Sequence, residues 1–172
     1  MFKADSITID RDLGERALLR AVDELDDAHF DVGLFEGETH PESEEYTIAQ
    51  IGAVHEFGTK DGHIKERSFL RSTADEQRDA YHRRMAQVAA KVQRRKGKGN
   101  LISMLTAVGE LAASDVRKKI TTLRTPKKAD STIKSQGGKT TNPLIWLGYM
   151  RAAVRSRIVV GHSEKMTPKG SR

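Results

Sequence analysis

Apolar residues fall at helical spacing in four stretches of the chain and alternate in two shorter ones. Leu18, Val22 and Leu25 share a face, with Leu13 and Ala21 beside it, and Asp12 with Glu15 has the form of a capping pair. Together they predict a helix over Asp12–Asp26. The period then changes. Phe30, Val32 and Leu34 alternate with Asp31 and Gly33, which predicts a strand over Phe30–Glu36. Gly37–Glu45 is acidic, holds Pro41 and Ser43, and reads as an exposed loop. Thr47 and Gln50 have capping-box spacing, and Tyr46 is placed to staple onto Ile51. The helix they open carries Ile48, Ile51 and His55 on one face, with Gly52 and Ala53 allowing close packing. Gly58 is its expected stop.

Thr59–Lys65 is polar, with an Asp61-Gly62 turn signal, and is expected to be a mobile hairpin or extended loop. A third helix should begin near Ser72 or Thr73, where Thr73 and Glu76 are spaced as a capping box. Its apolar seam is Tyr81, Met85, Val88 and Val92. Arg94-Arg95-Lys96-Gly97-Lys98-Gly99 is a basic break. Asn100 can cap a fourth helix carrying Leu101, Leu105, Val108, Ala112 and Val116. Thr125-Pro126 predicts the N-cap and first-turn proline of a short helix reaching about Lys134. A Gly-containing loop follows at Gln136–Thr141, then a compact apolar turn or short helix over Leu144–Arg151. In a last strand Val154, Ser156, Ile158 and Val160 face one way and Arg155 and Arg157 the other. The pattern is that of an α+β fold, a small antiparallel sheet packed against three to four helices, forming one domain over residues 1–160. Residues 161–172 are expected to be a loosely held tail.

Composition changes this picture in one respect. The net charge of +6 conceals a division: residues 1–82 carry 9 Lys and Arg against 20 Asp and Glu, whereas residues 83–172 carry 21 against 4. A basic half suits nucleic acid, because clustered cations release counterions from phosphate. An acidic half on the same chain suits a ring in which one subunit's acidic face meets the next one's basic face. Two solvated surfaces of opposite bias would look the same, and charge alone does not choose among the three. The chain has no cysteine, which removes disulfides, thiolate metal sites and cysteine nucleophiles together. Its first residues have no apolar run of the signal-peptide kind, and no stretch approaches the roughly 20 apolar residues of a membrane helix. A soluble protein made in a reducing cytoplasm is expected.

Little in the sequence suggests catalysis. The histidines are 29, 40, 55, 63, 82 and 162, and His55-Glu56 lacks the second histidine of a zinc-protease helix because position 59 is Thr. Glu42, Glu44 and Glu45 sit in a loop with no apolar shell to shift their titration. No glycine pattern matches a phosphate or dinucleotide loop, and no serine sits in a nucleophile elbow. The expectation is a protein that is not an enzyme and binds neither metal nor cofactor. Arg83, Arg84, Arg94, Arg95, Lys96 and Lys98 are candidate phosphate contacts, but no aromatic residue lies among them, so binding there would be to backbone phosphate and salt-sensitive. A solvated basic helix end complementing the C-terminal dipole would read identically.

Two stretches are distinctive. Ile48-Ala49-Gln50-Ile51-Gly52-Ala53-Val54-His55-Glu56-Phe57-Gly58-Thr59 is followed by Ile64-Lys65-Glu66-Arg67-Ser68-Phe69-Leu70-Arg71. This pair resembles the "A…HEFGT…IPERPFLR" signature of the tail-completion or head–tail joining (neck) proteins of tailed bacteriophages, the virion morphogenesis type. Asn142-Pro143-Leu144-Ile145-Trp146-Leu147-Gly148-Tyr149-Met150-Arg151 resembles that family's "PL…TG.LR.S" element before its last strand. The resemblance covers most of the chain from about Phe30 to Val160. Lys65 and Ser68 stand where the family has prolines and Leu147 where a threonine is common. Without those prolines the 60–69 loop should be less rigid before assembly.

The resemblance implies a structural virion protein at the head–tail neck. It would form a closed ring, a hexamer, between head connector or adaptor and tail tube or terminator proteins, with DNA transiting its channel and no membrane involved. A tail-terminator ring and a phosphate-backbone DNA-binding protein are the alternatives. Subunit or partner contacts are expected at His55, Glu56, Phe57, Gly58, Thr59, Lys60, Ile64, Arg67, Phe69, Leu70 and Trp146. Phe69 and Leu70 either anchor the base of the loop or enter a neighbour's groove. On the second view, changing Phe69 or deleting Thr59–Lys65 spares monomer folding and stops assembly.

Overall fold

The structure, a computed structural model, describes residues 28–37, 39–41, 43–94, 101–145 and 147–160. The expected helix Asp12–Asp26, most of the basic break, Trp146 and the expected tail fall outside them. In chain order the elements are β1 (Ala28–Gly33), β2 (Thr39–His40), β3 (Ser43–Thr47), α1 (Ile48–Phe57), α2 (Leu70–Arg94), α3 (Leu101–Thr122), α4 (Asp130–Ser135), α5 (Tyr149–Ala153) and β4 (Arg155–Val160). The fold is α+β. β1 and β4, from opposite ends of the described chain, pair antiparallel with Ala28 opposite Val160 and Gly33 opposite Arg155. Helix α3 lies across this ribbon, close enough that a Cβ at Gly109 would come within 3.1 Å of the Ser156 Cβ.

The apolar seams meet as their spacing predicts. Val88 and Val92 of α2 pack with Leu101, Leu105 and Val108 of α3 in one core cluster, flanked by Phe30, Met85 and Ile158. The Tyr81 hydroxyl reaches Asp115 at 3.0 Å and Lys119 pairs with Glu76, contacts whose opposite chain directions make α2 and α3 antiparallel. Farther along α3, Ala113, Val116 and Ile120 join Ile48, Phe69, Leu144, Met150, Ala153 and Val154 in a second cluster. Ile120 explains why α3 runs on to Thr122 rather than ending near Val116: it extends the same buried face by a turn and is fully enclosed.

Four boundaries depart from expectation. The acidic stretch 37–45, expected as a loop, contains the small β2–β3 hairpin, in which Thr39 faces Thr47 and His40 faces Ser43. The first strand lies two residues earlier than its alternation suggests, because Leu34 leaves the ribbon to pack against Gly52 of α1. Thr125-Pro126 does not start a helix. Residues 123–129 are non-helical, the Thr125–Pro126 peptide is cis, and Arg67 holds the stretch by donating to the carbonyls of Pro126 and Lys127. Finally, α2 begins at Leu70 rather than at Ser72 or Thr73. The Thr73 hydroxyl donates back to the Phe69 carbonyl at 2.6 Å and caps nothing.

Candidate functional site

The start of α2 is capped from another helix. Glu56, in the last turn of α1, is 2% exposed, and its carboxylate faces the open N-terminal turn of α2. It accepts from the backbone N–H groups of Phe69 (2.7 Å), Leu70 (2.8 Å) and Arg71 (3.0 Å), from the Ser68 hydroxyl (2.7 Å) and from Arg71 Nε (3.1 Å). A helix N-terminus presents unsatisfied donors and partial positive charge, and a buried carboxylate answers both. Burial opposes its ionisation, but the hydrogen bonds from Leu70, Arg71, Ser68 and Phe69 outweigh that and hold its pKa below the ordinary carboxylate value. Ser68, standing where the family pattern has proline, thus supplies one of the bonds and also accepts from Ser72 N–H at 3.2 Å.

Between the two helices the chain makes a closed turn. Gly58 ends α1 at φ 73°, and a Cβ there would lie 2.8 Å from both Glu66 N and Ile64 O, so this position needs glycine. Thr59 N–H donates to Ile64 O, Ile64 N–H to the Thr59 hydroxyl oxygen, and Gly62 N–H to Thr59 O, each at 2.9 Å. Asp61 accepts from the Thr59 hydroxyl and from His63 N–H. Arg67 N–H returns to His55 O at 2.8 Å. The expected mobile loop is therefore a hydrogen-bonded turn.

The residues singled out as partner contacts divide into two groups. Phe69 is fully buried in the second core cluster, and Glu56 and Arg67 are buried as the cap and as the clamp on 126–127. All three serve the chain's own fold, and the expectation that Phe69 could be changed without affecting monomer folding is overturned. Phe57 is 63% exposed beneath the Arg71 guanidinium, 4.7 Å from its ring centroid. Lys60 is exposed, while Gly58, Thr59, Ile64 and Leu70 are half-buried. Among the candidate phosphate contacts, Arg83, Arg84 and Arg94 are exposed on α2; Arg95, Lys96 and Lys98 lie outside the described residues, as does Trp146.

The two distinctive stretches come together across a cleft of about 370 Å³. Ile48, Ile51, His55 and Ile64 form one wall and Leu144, Ile145, Leu147 and Tyr149 the other, with Arg67 and Lys128 between. Asn142 fixes the second wall: its side-chain amide donates to the Ile120 and Thr121 carbonyls at the end of α3 and accepts from Leu144 N–H at 2.8 Å. Lys128 donates to Gln136 Oε1 (2.7 Å) and Ile145 O (3.2 Å). Burial, with Arg67 and Lys128 nearby, pushes the His55 pKa down to about 4, so its imidazole is neutral at pH 7, and its buried Nδ1 has no hydrogen-bond partner among the described residues.

The chain matches no family model, no curated protein and no solved structure.

The Glu56 carboxylate, the deeply buried one among the described residues, accepts five hydrogen bonds and is committed to capping α2. Among the described residues no group of three or more His, Asp or Glu side chains is placed to hold a metal ion, and no helix is long and apolar enough to cross a membrane. Sequence reasoning expected Glu56 as a partner contact and missed its capping role, because the donors it meets lie 12 to 15 residues away. It missed Lys128 outright, and it placed Asn142 at the start of the second stretch without its bonds to the end of α3.

Proposed function

We propose that this chain is a structural virion protein of a tailed bacteriophage, a non-enzymatic subunit that closes into a ring at the head–tail junction through which DNA passes. One observation carries the reading. The two stretches that resemble the neck family are separated by residues 72–141, yet they form the two walls of one cleft. Their most distinctive polar residues are spent inside the fold, Glu56 on the start of α2 and Arg67 on the carbonyls of Pro126 and Lys127. Such a motif builds a surface to be fitted by a partner, with Phe57 and the 59–64 turn exposed or half-exposed beside it. The ring is a hexamer by the same resemblance, and its neighbours are the head connector and the tail tube or terminator.

The experiment is removal of the reading frame from the producing phage, with electron microscopy of the lysate. DNA-filled heads and finished tails that stay unjoined, restored by the purified protein, are expected for tail completion. Tails of uncontrolled length would instead assign the terminator role. Complete, infectious particles lacking the protein would end the proposal.

A further inference from the structure

The cleft between the two motif stretches contains an unbalanced charge. Arg67 is 8% and Lys128 9% exposed, and the two are close enough that each depresses the charged state of its surroundings. Their hydrogen bonds go to neutral acceptors: backbone carbonyls of Lys65, Pro126 and Lys127 for Arg67, and Gln136 and the Ile145 carbonyl for Lys128. No carboxylate is among the described lining residues: Glu66, next to Arg67 in sequence, is exposed and pairs with Arg71 at 2.7 Å, and Asp130, two residues after Lys128, is exposed on α4. Buried cations are ordinarily paired with an anion, since hydrogen bonds to neutral oxygens offset only part of the lost hydration and none of the like-charge repulsion. Beside them the His55 Nδ1 is buried without a hydrogen-bond partner among the described residues. The walls are apolar, and Leu147 at the rim is 44% exposed. A cationic floor between apolar walls fits a carboxylate that arrives next to an apolar or aromatic side chain.

The chain carries such a segment. Residues 36–45 contain five glutamates and no lysine or arginine, and Glu45 is followed by Tyr46, which is 51% exposed. We infer that the cleft formed by Arg67 and Lys128 with Leu144, Ile145, Leu147 and Tyr149 receives the acidic β2–β3 hairpin of a second copy of this chain, a Glu45–Tyr46 carboxylate and ring entering together. The inference deepens the ring reading and rests on it. It converts the general opposition of an acidic and a basic half into one directional contact, hairpin into cleft, which is heterologous and so propagates around a ring.

The absence of cysteine allows single thiols to be placed cleanly. Two full-length versions are made: Pro41→Cys at the exposed hairpin turn, which leaves Glu45 and Tyr46 intact, and Ser131→Cys at the exposed cleft rim, one of them isotope-labelled. They are mixed and treated with a short bis-maleimide. The mixed Pro41–Ser131 product is expected to exceed both like-with-like products, and a control pairing Arg83→Cys with Ser131→Cys, by about tenfold. Changing Glu36 and Glu45, both exposed, to Gln should lower the yield by a similar factor. Lys128→Met on the cleft partner should do the same, while Lys128→Arg retains it. Cross-linking no better than the control, or indifferent to hairpin charge, overturns the inference. So does a bridge confined within one chain in the double variant, since the hairpin would then cover its own cleft. Rings that enter particles while the cross-link stays at control level overturn this contact but not the virion reading. Efficient cross-linking of a protein without a place in particles does the opposite.

Discussion

Glu56 is buried and yet held in its charged form, and that combination has measurable consequences. Its native pKa lies below the unfolded one, so as pH falls the unfolded chain takes up the proton first. The stabilisation it provides is complete above the unfolded value of about 4.3 and is lost as pH drops through the lower native value. Glu56→Gln replaces an anion with a group that turns an amide toward the α2 donors, and should cost about 2–3 kcal/mol in urea denaturation at pH 7. The variant should also lack the part of the wild-type acid instability that arises below about pH 4.3; an unchanged pH profile would remove Glu56 from this role. Phe57 and Phe69 make a contrasting pair a few residues away. Phe69→Ala empties a fully enclosed position and should destabilise the monomer by about 3–5 kcal/mol. Phe57→Ala removes a largely exposed ring and should stay within about 1 kcal/mol of the parent, so that any failure of that variant to join particles reports on a partner contact. Equal losses of stability in the two variants would refute the division of the motif into core and surface.

At the scale of elements, helix ends are where the fold is most directly specified. Thr47 accepts from Gln50 N–H at 3.2 Å while the Gln50 side chain accepts from Thr47 N–H at 2.9 Å, so α1 starts at a completed capping box. Thr47→Ala should lower thermal stability by about 1 kcal/mol and increase amide exchange in the first turn of α1; no change in either would mean that packing of Ile48 alone sets that end. This box, the seam of Tyr81, Met85, Val88 and Val92, and the face from Leu101 to Val116 were all legible in the sequence, because they arise from residues three or four apart. The start of α2 was not, because its cap comes from a carboxylate on another helix, and local spacing pointed instead to Thr73, whose hydroxyl turns back to Phe69 O. The proline at 126 misled for a related reason. A first-turn proline is a local signal, and here Arg67, nearly sixty residues earlier, claims the carbonyls of the following stretch. The candidate site divides the same way: its two walls were visible as motifs, whereas Lys128, which lies between them, and the bonds by which Asn142 ties the second wall to α3 depend on contacts the linear order does not reveal.

For the whole molecule the open choice is what the basic half meets. The cations split spatially into buried ones in the cleft and exposed ones on α2, where Arg83, Arg84 and Arg94 stand in solvent. Exposed cations on a helix contribute little to folding, so changing these three to Gln should leave stability within about 0.5 kcal/mol. Their effect on partners separates the readings. If they contact phosphate, the parent chain binds duplex DNA with an affinity that falls steeply with salt, and the triple variant loses both the affinity and about three units of the log–log salt slope. If ring contacts run through the cleft, the same variant assembles as before while Lys128→Met does not. Fluorescence anisotropy with a labelled duplex and native mass spectrometry on the same samples measure the two properties independently. A protein lining a DNA channel is not required to bind DNA tightly, since tight phosphate contacts would retard the molecule that passes. Weak, salt-sensitive binding by α2 together with assembly through the cleft is therefore the expected pairing, and strong duplex binding by a chain that never self-associates would favour the nucleic-acid reading over the ring.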